Sequence, residues 1–66
     1  MQREAMRLTR REMQVVVQTA TGVSNKEVGR KLNITEGTVK MHLNSIYKKL
    51  GFSNRTKLAM MFAEKK

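Results

Sequence analysis

Apolar residues recur at helical intervals in four stretches of the chain, and each stretch follows a residue able to cap a helix. In the first, Met13, Val16, Val17 and Ala20 keep the i, i+3, i+4, i+7 spacing of one helical face. Thr9-Arg10-Arg11-Glu12 precedes them as a capping box, in which the Thr9 hydroxyl accepts from the Glu12 N–H and the Glu12 carboxylate reaches back to that of Thr9. Leu8 and Met13 flank the box as a hydrophobic staple, and Gly22 suits the left-handed residue that ends such a helix. The pattern returns at once in Ser24-Asn25-Lys26-Glu27, a second capping box with Val23 and Val28 as its staple. This second helix is short, turns Val28 and Leu32 inward, and carries Gly29 where a neighbouring helix can approach closely.

Leu32-Asn33-Ile34 forms a tight connection in which Asn33 can take positive φ, and Thr35 caps a third helix. At 100° per residue Val39, Leu43, Ile46 and Leu50 fall within a narrow arc, the stripe expected to be buried. Gly37, Lys40, Met41, Asn44 and Lys48 fall opposite it. Lys48 and Lys49 in the last turn oppose the negative end of the helix dipole, and Gly51 with Phe52 after it closes the helix. Ser53 or Asn54 caps a fourth helix carrying Leu58, Ala59, Phe62 and Ala63 inward, while Met60 and Met61 cannot both face the core. The pattern therefore predicts an all-α, four-helix, helix-turn-helix domain with helices over about 9–21, 25–31, 35–50 and 54–64. The domain is expected over 8–66, with residues 1–7 an N-terminal stub or linker and Glu64-Lys65-Lys66 a fraying end.

Composition narrows the chemistry. A chain of 66 residues holds one modest core, since a domain of that size buries only about 60% of its unfolded surface. An enzyme's cleft is hard to build from so few residues, and none is expected. Fourteen Lys and Arg against five Asp and Glu leave a formal charge of +9, which points to a polyanionic partner, nucleic acid or an anionic membrane. The absence of cysteine excludes disulfides, thiolate metal sites and thiol nucleophiles, and the single histidine, His42, cannot build a zinc site alone. No cofactor is expected. No apolar run approaches the roughly 18 residues of a membrane span, and the N-terminus lacks a signal peptide's apolar stretch, so a cytoplasmic location is expected.

A helix with an apolar stripe behind and a polar face in front, joined by a short turn to the helix before it, is the arrangement that enters a DNA major groove. On that face Lys40 can donate to guanine O6 and N7, Asn44 can donate to and accept from adenine, and Met41 can pack on a thymine methyl. Thr35 and Thr38, with the first amides of the third helix, suit phosphate oxygens, as do Ser24, Asn25 and Lys26 at the start of the second. Tyr47 is half core, its hydroxyl free to meet a phosphate, and His42 on the flank of the stripe suits packing or a phosphate bond rather than catalysis. Each has a plainer reading: Lys40 and Lys48 as a solvated face, Met41 as a protein contact, Thr38 as a local cap. The coincidence of these features on one face favours DNA.

These segments together resemble the LuxR/FixJ/NarL type of helix-turn-helix domain of bacterial transcription regulators. The matching pieces are Leu8-Thr9-Arg10-Arg11-Glu12, Gly22-Val23-Ser24-Asn25-Lys26-Glu27-Val28, Leu32-Asn33-Ile34-Thr35, Thr38-Val39-Lys40-Met41-His42 and Lys49-Leu50-Gly51-Phe52 followed by Arg55. They span about Leu8 to Ala63. The resemblance implies a third helix that reads double-stranded DNA through Lys40, Met41 and Asn44, with backbone contacts near Asn25, Lys26, Thr35, Thr38, His42 and Lys48. It further implies a fourth helix making a homodimer contact on adjacent half-sites, for which Lys57, Met60 and Met61 are the candidates, and RNA polymerase as a candidate second partner. Gly29 stands where the family generally has Ala, and Thr35 where Ser is commoner. The competing function is a protein-interaction module of the same fold acting on another regulator through Met60 and Met61. RNA binding fits the charge but not the aromatic content, with only Phe52, Phe62 and Tyr47 present. A membrane-surface helix would need Trp or Phe along one face.

Overall fold

Each helix begins where a side-chain oxygen captures a backbone N–H three residues on. In the computed structural model, which describes residues 7–62, the helices are α1 (Arg10–Ala20), α2 (Asn25–Leu32), α3 (Glu36–Leu50) and α4 (Arg55–Phe62), and there is no strand among the described residues. Thr9 Oγ1 accepts from the Glu12 N–H at 3.1 Å, Ser24 Oγ from that of Glu27 at 3.2 Å, and Thr35 Oγ1 from that of Thr38 at 3.1 Å. At the fourth start Asn54, not Ser53, is the cap, its Oδ1 accepting from the Lys57 N–H at 2.9 Å. The stops are equally local. Asn33 takes φ 62° after α2 and Gly51 φ 83° after α3, both left-handed conformations that turn the chain out of the helix. The expected positions of Ala63, the 1–6 part of the stub and the tail lie outside the described residues.

Val15, Val16, Val28, Val39, Leu43, Ile46 and Leu58 form the buried core, with Leu8, Val23, Leu32, Ile34, Tyr47, Leu50, Phe52 and Phe62 packed around it. Burying a side chain of this kind contributes about 1.5–3 kcal/mol. Packing is organised by α1, which lies against each of the other three helices, while α2 also packs on α3. The stripe expected on α3 is the stripe observed, with Leu50 at its half-buried end.

Two expectations need correction. The buried face of α1 is Glu12, Val15, Val16 and Thr19 rather than Met13, Val16, Val17 and Ala20: the same spacing, rotated by one residue. Val17 is 49% exposed, and with Met13 and Leu32 it lines a shallow groove beside Arg10, Gln14 and Gln18. The rotation follows from Glu12, whose carboxylate finds cationic and hydroxyl partners on α3 and so can enter the interior. The second capping box is only half formed. Ser24 captures the Glu27 N–H, but the Glu27 carboxylate turns to Arg30 at 3.5 Å, a pair on the helix surface.

Gly29 has the close-packing role expected of it, against the turn rather than a helix flank. A Cβ there would stand 2.6 Å from the Ile34 carbonyl oxygen and 3.3 Å from the Thr35 carbonyl carbon. The Ile34 N–H donates to the Gly29 carbonyl at 2.8 Å, drawing the turn onto α2 and thereby placing the start of α3. Among the described residues no helix is long and apolar enough to cross a membrane.

Candidate nucleic-acid interface

The face of α3 opposite its buried stripe is open along its length. Gly37, Lys40, Met41, Asn44 and Lys48 are all exposed, and Met41 is 70% so although Val39 and Leu43 on either side of it are buried. Lys40, Met41 and Asn44 are thus brought together on one surface, as their spacing requires. Toward the C-terminal end Asn44, Tyr47 and Lys48 share a shallow depression of about 380 Å³ with Gly51, Phe52 and Ser53. Tyr47 is half-buried there, its ring 6.2 Å from that of Phe52 at an angle of 52°. His42 is half-buried on the flank of the stripe.

At the start of α3 the Thr35 and Thr38 hydroxyls are 2.9 Å apart and bonded to one another. Thr35 also holds the Thr38 N–H, so of the two hydroxyls only one hydrogen remains to be donated elsewhere. At the start of α2 Ser24 and Lys26 are exposed, and Asn25 is half-buried. On α4 Lys57 is exposed with its ammonium 4.8 Å from the centre of the Phe52 ring, and Met60 and Met61 are 71% and 40% exposed. Two adjacent large apolar side chains left in water in the last turn of so short a helix form a surface suited to covering.

What orients α3 is a clasp that sequence reasoning missed. The Glu12 carboxylate, only 6% exposed, accepts from Lys49 Nζ at 2.8 Å on one oxygen and from Ser45 Oγ at 2.8 Å on the other, while the Thr9 N–H donates to it at 2.9 Å. Lys49 Nζ also donates to the Arg7 carbonyl at 3.4 Å. Burial alone would raise the Glu12 carboxyl. The hydrogen bonds from Lys49, the Thr9 backbone and Ser45, together with the Lys49 charge, outweigh it and hold the pKa at about 2 against an ordinary 4.5. Ser45 and Lys49 lie one turn apart on α3, so a single carboxylate on α1 restrains both the position and the rotation of α3. Lys49 lies in the last turn of α3, as expected, and is in addition committed to this pair.

Arg55 ties two helix starts together. Its guanidinium donates to Asn25 Oδ1 at 2.8 Å and to the Val23 carbonyl at 3.0 Å, joining the start of α4 to the start of α2. No local pattern signals either contact, since the partners lie far apart in sequence. Among the described residues the carboxylates of Glu12 and Glu27 are paired and that of Glu36 is exposed at the start of α3. Little negative charge therefore opposes the basic residues around this face.

A family model described as bacterial regulatory proteins, luxR family, matches residues 6–62. The protein YhjB of Escherichia coli (strain K12) is 52% identical over 54 residues, which cover 82% of this chain and 27% of YhjB. Transcriptional regulatory protein LnrK of Bacillus subtilis (strain 168) is 46% identical over 57 residues, covering 86% of this chain and 26% of LnrK. For the nitrate/nitrite response regulator protein NarP of E. coli (strain K12) the figures are 37% over 59 residues, 89% and 27%. The chain spans about a quarter of the length of these curated relatives.

Proposed function

Because the chain belongs to the luxR family of bacterial regulatory proteins, we propose that it is the DNA-binding unit of a transcription regulator and binds duplex DNA sequence-specifically with α3 in the major groove. The observation that carries this reading is the exposed Lys40, Met41 and Asn44 surface, backed by the buried Val39, Leu43 and Ile46 on the same helix. Lys40 donates to guanine O6 and N7, Asn44 pairs with an adenine edge, and Met41 fills the space beside a thymine methyl. Ser24, Asn25, Lys26, Thr35, Thr38, His42, Tyr47 and Lys48 hold the flanking phosphates, which supply affinity and register rather than sequence preference.

Two copies meet through α4, where Lys57, Met60 and Met61 form a self-complementary surface on adjacent half-sites. In this reading residues 8–66 are the DNA-binding domain, residues 1–7 lead into it, and the protein acts in the cytoplasm, where RNA polymerase is a further partner if regulation is by activation.

In-vitro selection from a random duplex pool tests the proposal. Enrichment of a short motif, present twice at a fixed spacing, is expected. Lys40→Ala then relaxes preference at one position, costing about 1–3 kcal/mol, and affinity falls with salt at a log–log slope of roughly −4 to −8 per domain. No enrichment above bulk DNA would defeat the reading in favour of a protein-interaction module using the exposed Met60 and Met61.

A further inference from the structure

Asn25 and Arg55 are the first residues of α2 and α4, helices that do not otherwise pack on one another. Their contact is nevertheless specific in direction. A guanidinium carries five donors and no acceptor, so an asparagine that bonds to it must present its carbonyl oxygen, and its NH2 group then lies on the opposite edge of the amide, pointing away from the guanidinium. Here Asn25 Oδ1 receives the Arg55 Nη1 donor at 2.8 Å, and Asn25 Nδ2 has no hydrogen-bond partner among the described residues. The second Arg55 nitrogen grips the Val23 carbonyl at 3.0 Å, which fixes the plane of the fork against the segment leading into α2. No carboxylate among the described residues pairs with Arg55, so its charge stays available to polarise the amide it holds.

We propose that Arg55 is a positioning residue for the DNA-backbone contact of Asn25, locking the side-chain amide in the orientation that offers its NH2 group, rather than its oxygen, to a phosphate. The inference rests on the DNA-binding reading and names a residue that makes the contact effective without itself touching a base. Without Arg55 the amide is free to turn, and half of its orientations set an acceptor against the anion. Arg55 also gives the start of the dimer helix a direct hold on the segment that meets the backbone.

The test uses the 66-residue chain, the duplex recovered by selection and a random-sequence duplex of the same length, with fluorescence anisotropy for affinity and thermal unfolding for the fold. Asn25→Asp keeps an oxygen for Arg55 and adds charge favourable to a helix start, so its thermal midpoint is expected to hold or rise. Its affinity for both duplexes is expected to drop by about tenfold or more, because the donor is gone and a carboxylate faces the phosphate. Arg55→Lys keeps the charge but replaces the fork by one ammonium. Its affinity is expected to fall roughly fivefold on both duplexes, and the Arg55→Lys, Asn25→Ala double variant to be no weaker than Asn25→Ala alone within about twofold.

Arg55→Lys binding as tightly as the parent overturns the inference, as do Arg55→Lys and Asn25→Ala losses that multiply. If Asn25→Asp still weakens binding in either case, the DNA contact of Asn25 stands and only the role of Arg55 fails. If Asn25→Asp binds like the parent, Asn25 is not at the backbone and the proposal fails with it.

Discussion

At the start of α1, Glu12 closes its cap, enters the interior and takes Lys49 and Ser45 from α3. At the start of α2, Glu27, in the same place of the same four-residue pattern, leaves its cap half open and pairs with Arg30 on the surface. The two differ in surroundings rather than in local chemistry. Lys49 comes to Glu12 from 37 residues away, and with the Glu12 side chain only 6% exposed each hydrogen bond it accepts counts for more than its counterpart in water. Glu27 has only a neighbour one turn on, in solvent, where such a pair is worth little. The first start thus serves the fold, as a clasp between α1 and α3. The second remains accessible, as the proposed contact with a phosphate backbone requires.

The contrast is tested most severely by removing each carboxylate. Glu12→Ala leaves Lys49, Ser45 and the Thr9 N–H without their acceptor and is expected to cost about 3 kcal/mol, a large part of the stability of so small a domain. Glu27→Ala is expected to cost no more than about 0.5 kcal/mol. Urea unfolding of the two variants measures both, and equal losses would erase the distinction.

Acid provides the next test. Glu12 titrates at about 2 in the folded chain and near 4.5 unfolded, so its contribution is fully present above about pH 5 and is lost as the pH falls toward 2. The urea midpoint should therefore drop between pH 6 and pH 3, and Glu12→Gln, already lacking the charge, should show a visibly shallower drop. A Glu12→Gln acid limb as steep as the parent's would assign acid sensitivity to another group.

Smaller effects are expected at the capping hydroxyls. Thr9→Ala is expected to cost about 1–2 kcal/mol and Ser24→Ala about 0.5–1 kcal/mol. The order should invert for DNA: Ser24→Ala weakens binding to a random-sequence duplex about two- to threefold while Thr9→Ala, still folded, does not. Smallest of all is Glu27→Gln, whose stability should match the parent's within about 0.3 kcal/mol once the salt concentration screens the Arg30 pair. A substantial loss at high salt would mean that Glu27 has a buried role.

The helix limits were legible within a residue or two, because a hydroxyl or amide capturing an N–H three residues on is complete within one turn of chain. The α3 stripe was legible for a similar reason: Lys40, Asn44 and Lys48 mark the opposite side as polar and leave Val39, Leu43, Ile46 and Leu50 as the inward arc. On α1 the run Val15-Val16-Val17 fits two faces equally, and apolarity favoured the one with Met13 over the one with Glu12. A buried carboxylate overturns that preference only when its partners are known, and those partners sit on another helix.

Sequence by itself therefore determined four helices, the capping hydroxyls of the first three, the turn at Asn33 and the division of α3 into a buried and an open side, all consequences of interactions spanning four residues or of a fixed helical period. Tertiary structure alone decided which way α1 faces, that Lys49 belongs to Glu12 and that Arg55 belongs to Asn25. With fourteen cations and five carboxylates on one short chain, many pairings satisfy the charges equally well. Only the packing of α1 against the other helices brings particular pairs within hydrogen-bond reach, and electrostatic energy in a protein depends on that distance and on the exclusion of water around it.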